Sequence, residues 1–198
     1  MTTAHARVLN FSPFEVYSEP FSYAVSARAF DDGVSANILT WLESEAPWKL
    51  VETDFYEQFE FNFLDAELPA ALTFLRKQTF IDSMSSEIRK LFGVSLSGIV
   101  DATAHRLLPG QRIRIHNDFI PGAETHRLLI QMNRGWEDRD GGFLLFFNSQ
   151  DPGDVHKVFR PVHNSAVAFA ISPSSHHAVT VVHGGERYTL VYSFYAEK

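Results

Sequence analysis

Three side chains have the types and spacing of a metal site. His116 and Asp118 flank Asn117, and a later histidine, His176 or His177, completes the set. Two imidazoles and one carboxylate are the facial ligand set of a non-haem Fe(II) centre, which keeps positions open for further ligands. On a strand, residues i and i+2 share a face, so His116 and Asp118 can reach one ion. Strand neighbours face opposite ways, so only one of His176 and His177 can point at the metal. The reading prefers His177, which opens an alternating segment with Val179 and Val181 inward; His176 then sits on the rim. Arg187 has the fork geometry that binds a carboxylate through two hydrogen bonds, as a dicarboxylic co-substrate on the iron would require. Thr189 shares the face of Arg187 and offers a hydroxyl to the same carboxylate. The segment from His177 to Val182 is expected to return as Arg187 to Tyr195 in one hairpin, offsetting His177 from Arg187 by roughly 16 Å. His105 and His126 are expected beside the cavity, and His5, His156, His163 and His183 on the surface.

The composition narrows the classes. The 198 residues are 45% hydrophobic with 18 phenylalanines, enough for one domain with a β-rich core. The net charge of −7 argues against nucleic acid or an anionic membrane as partner. Without cysteine there are no disulfides and no thiolate ligands, so any metal must rest on His and carboxylate. The polar stretch Met1–Asn10 lacks signal-peptide character, and no apolar run nears the roughly 20 residues that cross a bilayer. The expectation is a cytoplasmic protein, with oligomeric state not legible.

The elements that must position these groups fall in two regimes. Val34 to Glu45 carries a helical stripe of Val34, Ile38, Leu39, Trp41 and Leu42, opened by Asp31-Asp32-Gly33. Trp48 to Phe63 reads as a strand with Phe59, Phe61 and Phe63 on one buried face. Pro69 to Phe92 returns to helical spacing and stops at Gly93. From Gly98 the chain becomes eight short strands: 99–108, 112–117, 126–132, 143–147, 157–159, 166–171, 177–182 and 187–195. Turn residues such as Pro109-Gly110 and Gly184-Gly185 separate them. The fold class is mainly β: a jelly roll with the N-terminal helices packed on one sheet. Residues 1–198 are expected to form one domain, with 1–97 as support and 98–198 as the catalytic core.

These segments resemble the prolyl-4-hydroxylase-like branch of the Fe(II)/2-oxoglutarate dioxygenase superfamily. The resemblance runs from about Ile99 to Tyr195. It rests on Leu108-Pro109-Gly110 through His116-Asn117-Asp118, on Arg127 to Asn133 with Trp136, on Gly141-Gly142-Phe143-Leu144, and on Ser172 to Tyr195 with Gly184-Gly185-Glu186-Arg187. It implies a double-stranded β-helix, with iron on His116, Asp118 and His177 and 2-oxoglutarate held at its far carboxylate by Arg187. It further implies O2 as oxidant, succinate and CO2 as products, ascorbate as an optional reductant, and hydroxylation of a C–H bond. Two family tyrosines that contact 2-oxoglutarate correspond to Leu107 and Gln131, so that network is altered, with Gln131 a candidate contact. Asp118 argues against a halogenase, which needs that ligand position vacant for chloride. The leading expectation is an oxygenase of a small-molecule or amino-acid-like substrate. The runner-up is a peptidyl prolyl hydroxylase with mobile loops at 55–68 and 117–124. The non-oxygenase alternative is a cupin-like metal protein with no role for Arg187.

Overall fold

A computed structural model describes residues 8–197. His5 lies outside that range. The chain opens with β1 (Glu15–Tyr17) and β2 (Tyr23–Ser26), followed by helix α1 (Asp32–Ser44). Next come β3 (Lys49–Glu52), β4 (Glu57–Asn62), a 3-10 segment (Ala70–Arg76) and helix α2 (Gln78–Phe92). The remaining strands are β5 (Leu96–Leu107), β6 (Ile113–His116), β7 (His126–Gln131), β8 (Leu144–Phe147), β9 (Val155–Phe159), β10 (Ala166–Ala170), β11 (His177–Val179) and β12 (Arg187–Ala196). Each of the eight strands expected after Gly98 is present.

Two antiparallel sheets result. The major sheet has the order β1-β2-β10-β7-β12-β5-β4-β3, and the minor sheet β6-β11-β8-β9. Both helices pack on the outer face of the major sheet, where Ile38, Leu39, Leu42, Met84 and Ile88 meet Ala104, Leu128, Leu190 and Tyr192. Each fully buried large side chain there contributes about 1.5–3 kcal/mol. The inner face packs Phe169, Val167 and Val191 against Phe146, Leu144 and Val179 of the minor sheet. The amphipathic stripes thus fix which sheet face the helices cover and leave the other face for the site.

Four expectations need correction. The stretch 48–63 is a hairpin of two strands, because Thr53 turns the chain: its amide donates to the Tyr56 carbonyl at 2.8 Å, and its hydroxyl accepts from the Phe55 and Tyr56 amides. The candidate loop at 55–68 accordingly contains β4. Residues 69–92 are two helical pieces, since extended Lys77 (ψ 137°) ends one and starts the other. β11 and β12 form no hairpin. β11 pairs with β6 and β8, whereas β12 pairs with β5 and β7. The intervening residues are claimed by other partners: the Val182 amide donates to Gln111 and the His183 amide to Asp140, which carries the chain across to the facing sheet. Finally, β1 and β2 extend the major sheet, whereas the sequence predicts no strand before Asp31 within the helical and strand support of 1–97.

Candidate metal centre

The register of the major sheet lays out the inner face row by row. Gln58, Leu107 and Arg187 share one row, and Glu60, His105, Thr189 and Gln131 the next. Asn62, Thr103, Val191 and Leu129 follow, then Asp101, Ser193 and Arg127. With the minor sheet opposite, most of these side chains line a cavity of about 390 Å³ that also contains His116, Asp118 and His177.

His116 closes β6 and pairs with His177 at the start of β11. Asp118 lies beyond the strand with φ of +59°, in the left-handed region that Asp tolerates better than most residues. That turn folds its carboxylate back toward His116, so the convergence comes from the turn and not from strand alternation. Asn117 donates to the Pro173 carbonyl at 3.0 Å, and the Ser175 hydroxyl donates to the Asn117 carbonyl at 2.8 Å. These two bonds tie the 116–118 segment to the segment that delivers His177. Neither was foreseen, since the partners are more than fifty residues apart.

One ligand atom from each of His116, Asp118 and His177 lies within 4.8 Å of the others. The His116 Nε2 stands 3.3 Å from Asp118 Oδ1, and His177 Nε2 stands 3.1 Å from Asp118 Oδ2. Each imidazole uses Nδ1 toward a backbone carbonyl at 2.8 Å, that of Arg114 or Ser175. This assigns the proton to Nδ1 and turns the Nε2 lone pair inward, as metal ligation requires. His177 is buried against Phe169, with ring centroids 5.0 Å apart. Its strand neighbour His176 belongs instead to an outer recess beside the triad.

The electrostatics suit a cation. Burial opposes ionisation of Asp118, but its close polar contacts with His116 and His177 and the charge of Arg127 outweigh it and hold its carboxyl far below the usual range. Arg127 bridges Asp118 and Glu124. A charged residue beside the apolar run Leu128-Leu129-Ile130 was the available signal for it, and it went unread. Burial lowers the affinity of His177 for a proton, despite its bond to Asp118.

At the other end, Arg187 is 3% exposed. Burial lowers its pKa to about 10, which leaves it charged at neutral pH. Its Nε donates to the Gly142 carbonyl and its Nη1 to the Thr189 hydroxyl, both at 2.8 Å. Thr189 donates onward to Gln131 at 3.1 Å. Gln131 therefore stands behind Thr189 and orients it. No carboxylate pairs with Arg187 among the described residues' ion pairs. A buried cation facing a cavity without an acidic partner fits an anionic ligand. Leu107 joins the apolar packing between the sheets and offers no polar contact. His105 lines the cavity, its pKa pushed down to about 3 by burial and then by Arg127 and Arg187. His126 faces the other way, against Phe92 on the helical side. His156 and His183 are exposed, whereas His163 is half-buried.

A two-sheet β-helix with two histidines and an aspartate at one end of its cavity, and an unpaired buried arginine at the other, defines a class of metal-dependent oxygenase. The comparisons agree. Residues 102–195 match the model of the 2OG-Fe(II) oxygenase superfamily. No curated protein matches the chain. A prolyl-4-hydroxylase structure from Pseudomonas putida aligns with a TM-score of 0.71 at 18% identity, over 89% of this chain and 93% of that one. A prolyl hydroxylase from Trichoplax adhaerens, solved with a hypoxia inducible factor peptide fragment, aligns at 0.71 and 13% identity over 87% and 83%. A 2OG-Fe(II) oxygenase family oxidoreductase from Burkholderia pseudomallei aligns at 0.57 and 21% identity over 84% and 80%. The chain belongs to the 2OG-Fe(II) oxygenase superfamily and has a prolyl-4-hydroxylase-like fold. It is an Fe(II)- and 2-oxoglutarate-dependent oxygenase that uses O2.

Proposed function

We propose that this oxygenase hydroxylates a C–H bond of a small, amino-acid-like substrate, with His116, Asp118 and His177 holding iron and Arg187 holding the far carboxylate of 2-oxoglutarate. The observation that carries the reading is the single cavity with the three convergent ligand atoms at one end and the unpaired Arg187 at the other. Bound iron and 2-oxoglutarate would supply the oxidising chemistry, with release of succinate and CO2. The chain's own residues bind, orient and exclude. Thr189 and Gln131 fix the Arg187 fork, and Ile113, Leu129, Leu144, Val179 and Val191 give the cavity an apolar lining that sheds water. We also assign the chain to one catalytic unit, in which 98–198 carry the ligands and 1–97 brace the major sheet and supply β4. The absence of cysteine and the net charge of −7 support a cytoplasmic setting without a nucleic-acid partner. Among the described residues, no helix is long and apolar enough to cross a membrane.

An anaerobic absorbance titration tests the assignment. Fe(II) followed by 2-oxoglutarate should give a weak visible charge-transfer band that needs both and vanishes in Asp118→Ala. A band that survives in that variant would remove Asp118 from the ligand set. One observation favours a second reading, a peptide substrate: the outer recess of about 570 Å³ beside the triad is open and rimmed by Phe55, Phe119 and Ile120. Succinate formation stimulated by prolyl peptides but by no free amino acid would select it.

A further inference from the structure

The inner end of β4 carries a polar wall that neither the ligand triad nor Arg187 explains. Glu57–Asn62 alternates, so Phe59 and Phe61 face outward while Gln58, Glu60 and Asn62 face the cavity. Gln58 is 1% exposed. Its Nε2 donates to Glu60 Oε2 at 2.8 Å, while its Oε1 is buried with no hydrogen-bond partner. Such an orphaned acceptor is destabilising unless a ligand donor reaches it. Glu60 is itself half-buried, and among the described residues its one ion-pair contact is His105, whose Nε2 is 3.9 Å away. That histidine is held neutral by burial and by the flanking arginines, so it gives Glu60 no charge. Lys49 lies opposite Glu60 on β3, exposed, and makes no ion pair with it among the described residues.

Apart from Arg187, the other charged groups in the cavity already have polar partners. Arg127 bridges Asp118 and Glu124, and Asp101 accepts from the Tyr195 hydroxyl. The wall also abuts the metal centre, since Tyr56, half-buried, is influenced by both Glu60 and Asp118. A carboxylate and an amide oxygen side by side, both without a cation and next to the metal ligands, call for a group rich in N–H donors and positively charged.

We infer that Gln58 and Glu60 form the specificity subsite for a protonated amine of the substrate. The substrate class would then be ammonium-bearing small molecules, such as free amino acids or alkylamines, and not their neutral acylated forms. This rests on the oxygenase reading and narrows it. The test measures succinate formation with free amino acids and alkylamines, each against its N-acetyl isostere, in the iron-loaded protein. The wild type should prefer the amine by at least about tenfold in kcat/KM, the scale of one charge-assisted hydrogen bond. Glu60→Gln should bring that ratio close to one. Gln58→Leu should lower it in the same direction without altering a charge, which preserves the test if Glu60→Gln does not fold. Equal use of amine and acetylated partner by the wild type, no stimulation by any amine, or full discrimination in the variants would overturn the subsite. Failure to form succinate under any condition would instead sink the oxygenase reading. Calorimetric binding of the same amines to zinc-loaded protein would then decide the subsite alone.

Discussion

Arg187 illustrates how little the type of a residue says without its setting. In the sequence it is a basic residue after a turn, a description that fits many solvated arginines. In the fold it is buried, charged and fixed at two of its nitrogens by Gly142 and Thr189, with its fork turned into the cavity. Arg187→Ala should therefore raise the 2-oxoglutarate concentration needed for half-maximal succinate formation at least tenfold, the loss of one strong charge-assisted pair, and spare metal binding. Arg187→Lys should do nearly as badly, because an ammonium can neither donate through Nε to Gly142 nor grip a carboxylate in two places. An unchanged 2-oxoglutarate requirement in both variants would return Arg187 to the ranks of structural residues. Asp118 differs in kind. Among the described residues it is the only carboxylate close to both histidines, and Asp118→Ala should leave a protein that retains no Fe(II) through gel filtration by metal analysis.

At the scale of elements, the segment after β7 is built around Arg187. Gly142 has φ of +64°, and a Cβ there would stand 2.9 Å from Arg187 Cδ and 3.2 Å from the Trp136 ring. Gly142→Ala should cost about 1–2 kcal/mol in stability for the left-handed backbone. It should also weaken 2-oxoglutarate binding by displacing the guanidinium, with metal affinity unchanged. A variant with wild-type 2-oxoglutarate affinity would show that the arginine is placed by β12 alone. Strand alternation makes a separate prediction through β7. Its odd-numbered residues face the cavity, and His126 faces the helices, where burial lowers its pKa from 6.5 to about 4. Below pH 6.5 the unfolded chain takes up a proton that the folded chain refuses, so stability must fall as pH drops from 6.5 to about 4. The His126 share is on the order of 3 kcal/mol across that window. Urea midpoints at pH 7 and 4.5 should converge in His126→Gln relative to wild type; an equal acid loss in both would absolve this histidine. The same alternation explains what was legible. Period-2 runs and turn residues locate all eight strands after Gly98, and the 3.6-residue stripes locate both helices. Partner choice was not legible, because β11 and β12 satisfy hairpin rules locally and separate through long-range bonds that Val182 and His183 donate to the Gln111 and Asp140 carbonyls. β1 and β2 were missed because three- and four-residue strands carry too little pattern. Glu60 and Asn62 read as the solvent side of a strand because alternation cannot tell water from a polar cavity.

For the molecule as a whole, the site is divided between the two sheets, and this makes ligand binding a matter of closure. The candidate imidazole ligands come from β6 and β11 of the minor sheet, whereas Arg187 and Thr189 stand on β12 of the major sheet. On the proposed assignment a metal ion would gather His116, Asp118 and His177, which would also stitch together the segments already joined by Asn117 and Ser175. The co-substrate would then be held at the metal and at Arg187 and would so link one sheet to the other. Each binding event stabilises the folded state by an amount that grows with the logarithm of free ligand over Kd, about 2.7 kcal/mol at a hundredfold excess. For a chain of this size about 1 kcal/mol shifts the melting midpoint by roughly 2–4 °C. Anaerobic thermal melts should thus rise by roughly 5–10 °C with saturating metal and by a further increment when 2-oxoglutarate is added. 2-Oxoglutarate without metal should do little, since Arg187 alone holds one end of it. Asp118→Ala should lose both increments, and Arg187→Ala should keep the first and lose the second. If the co-substrate stabilises the Arg187 variant as fully as the wild type, the two sheets are not bridged at that residue, and the far carboxylate must be held elsewhere in the cavity.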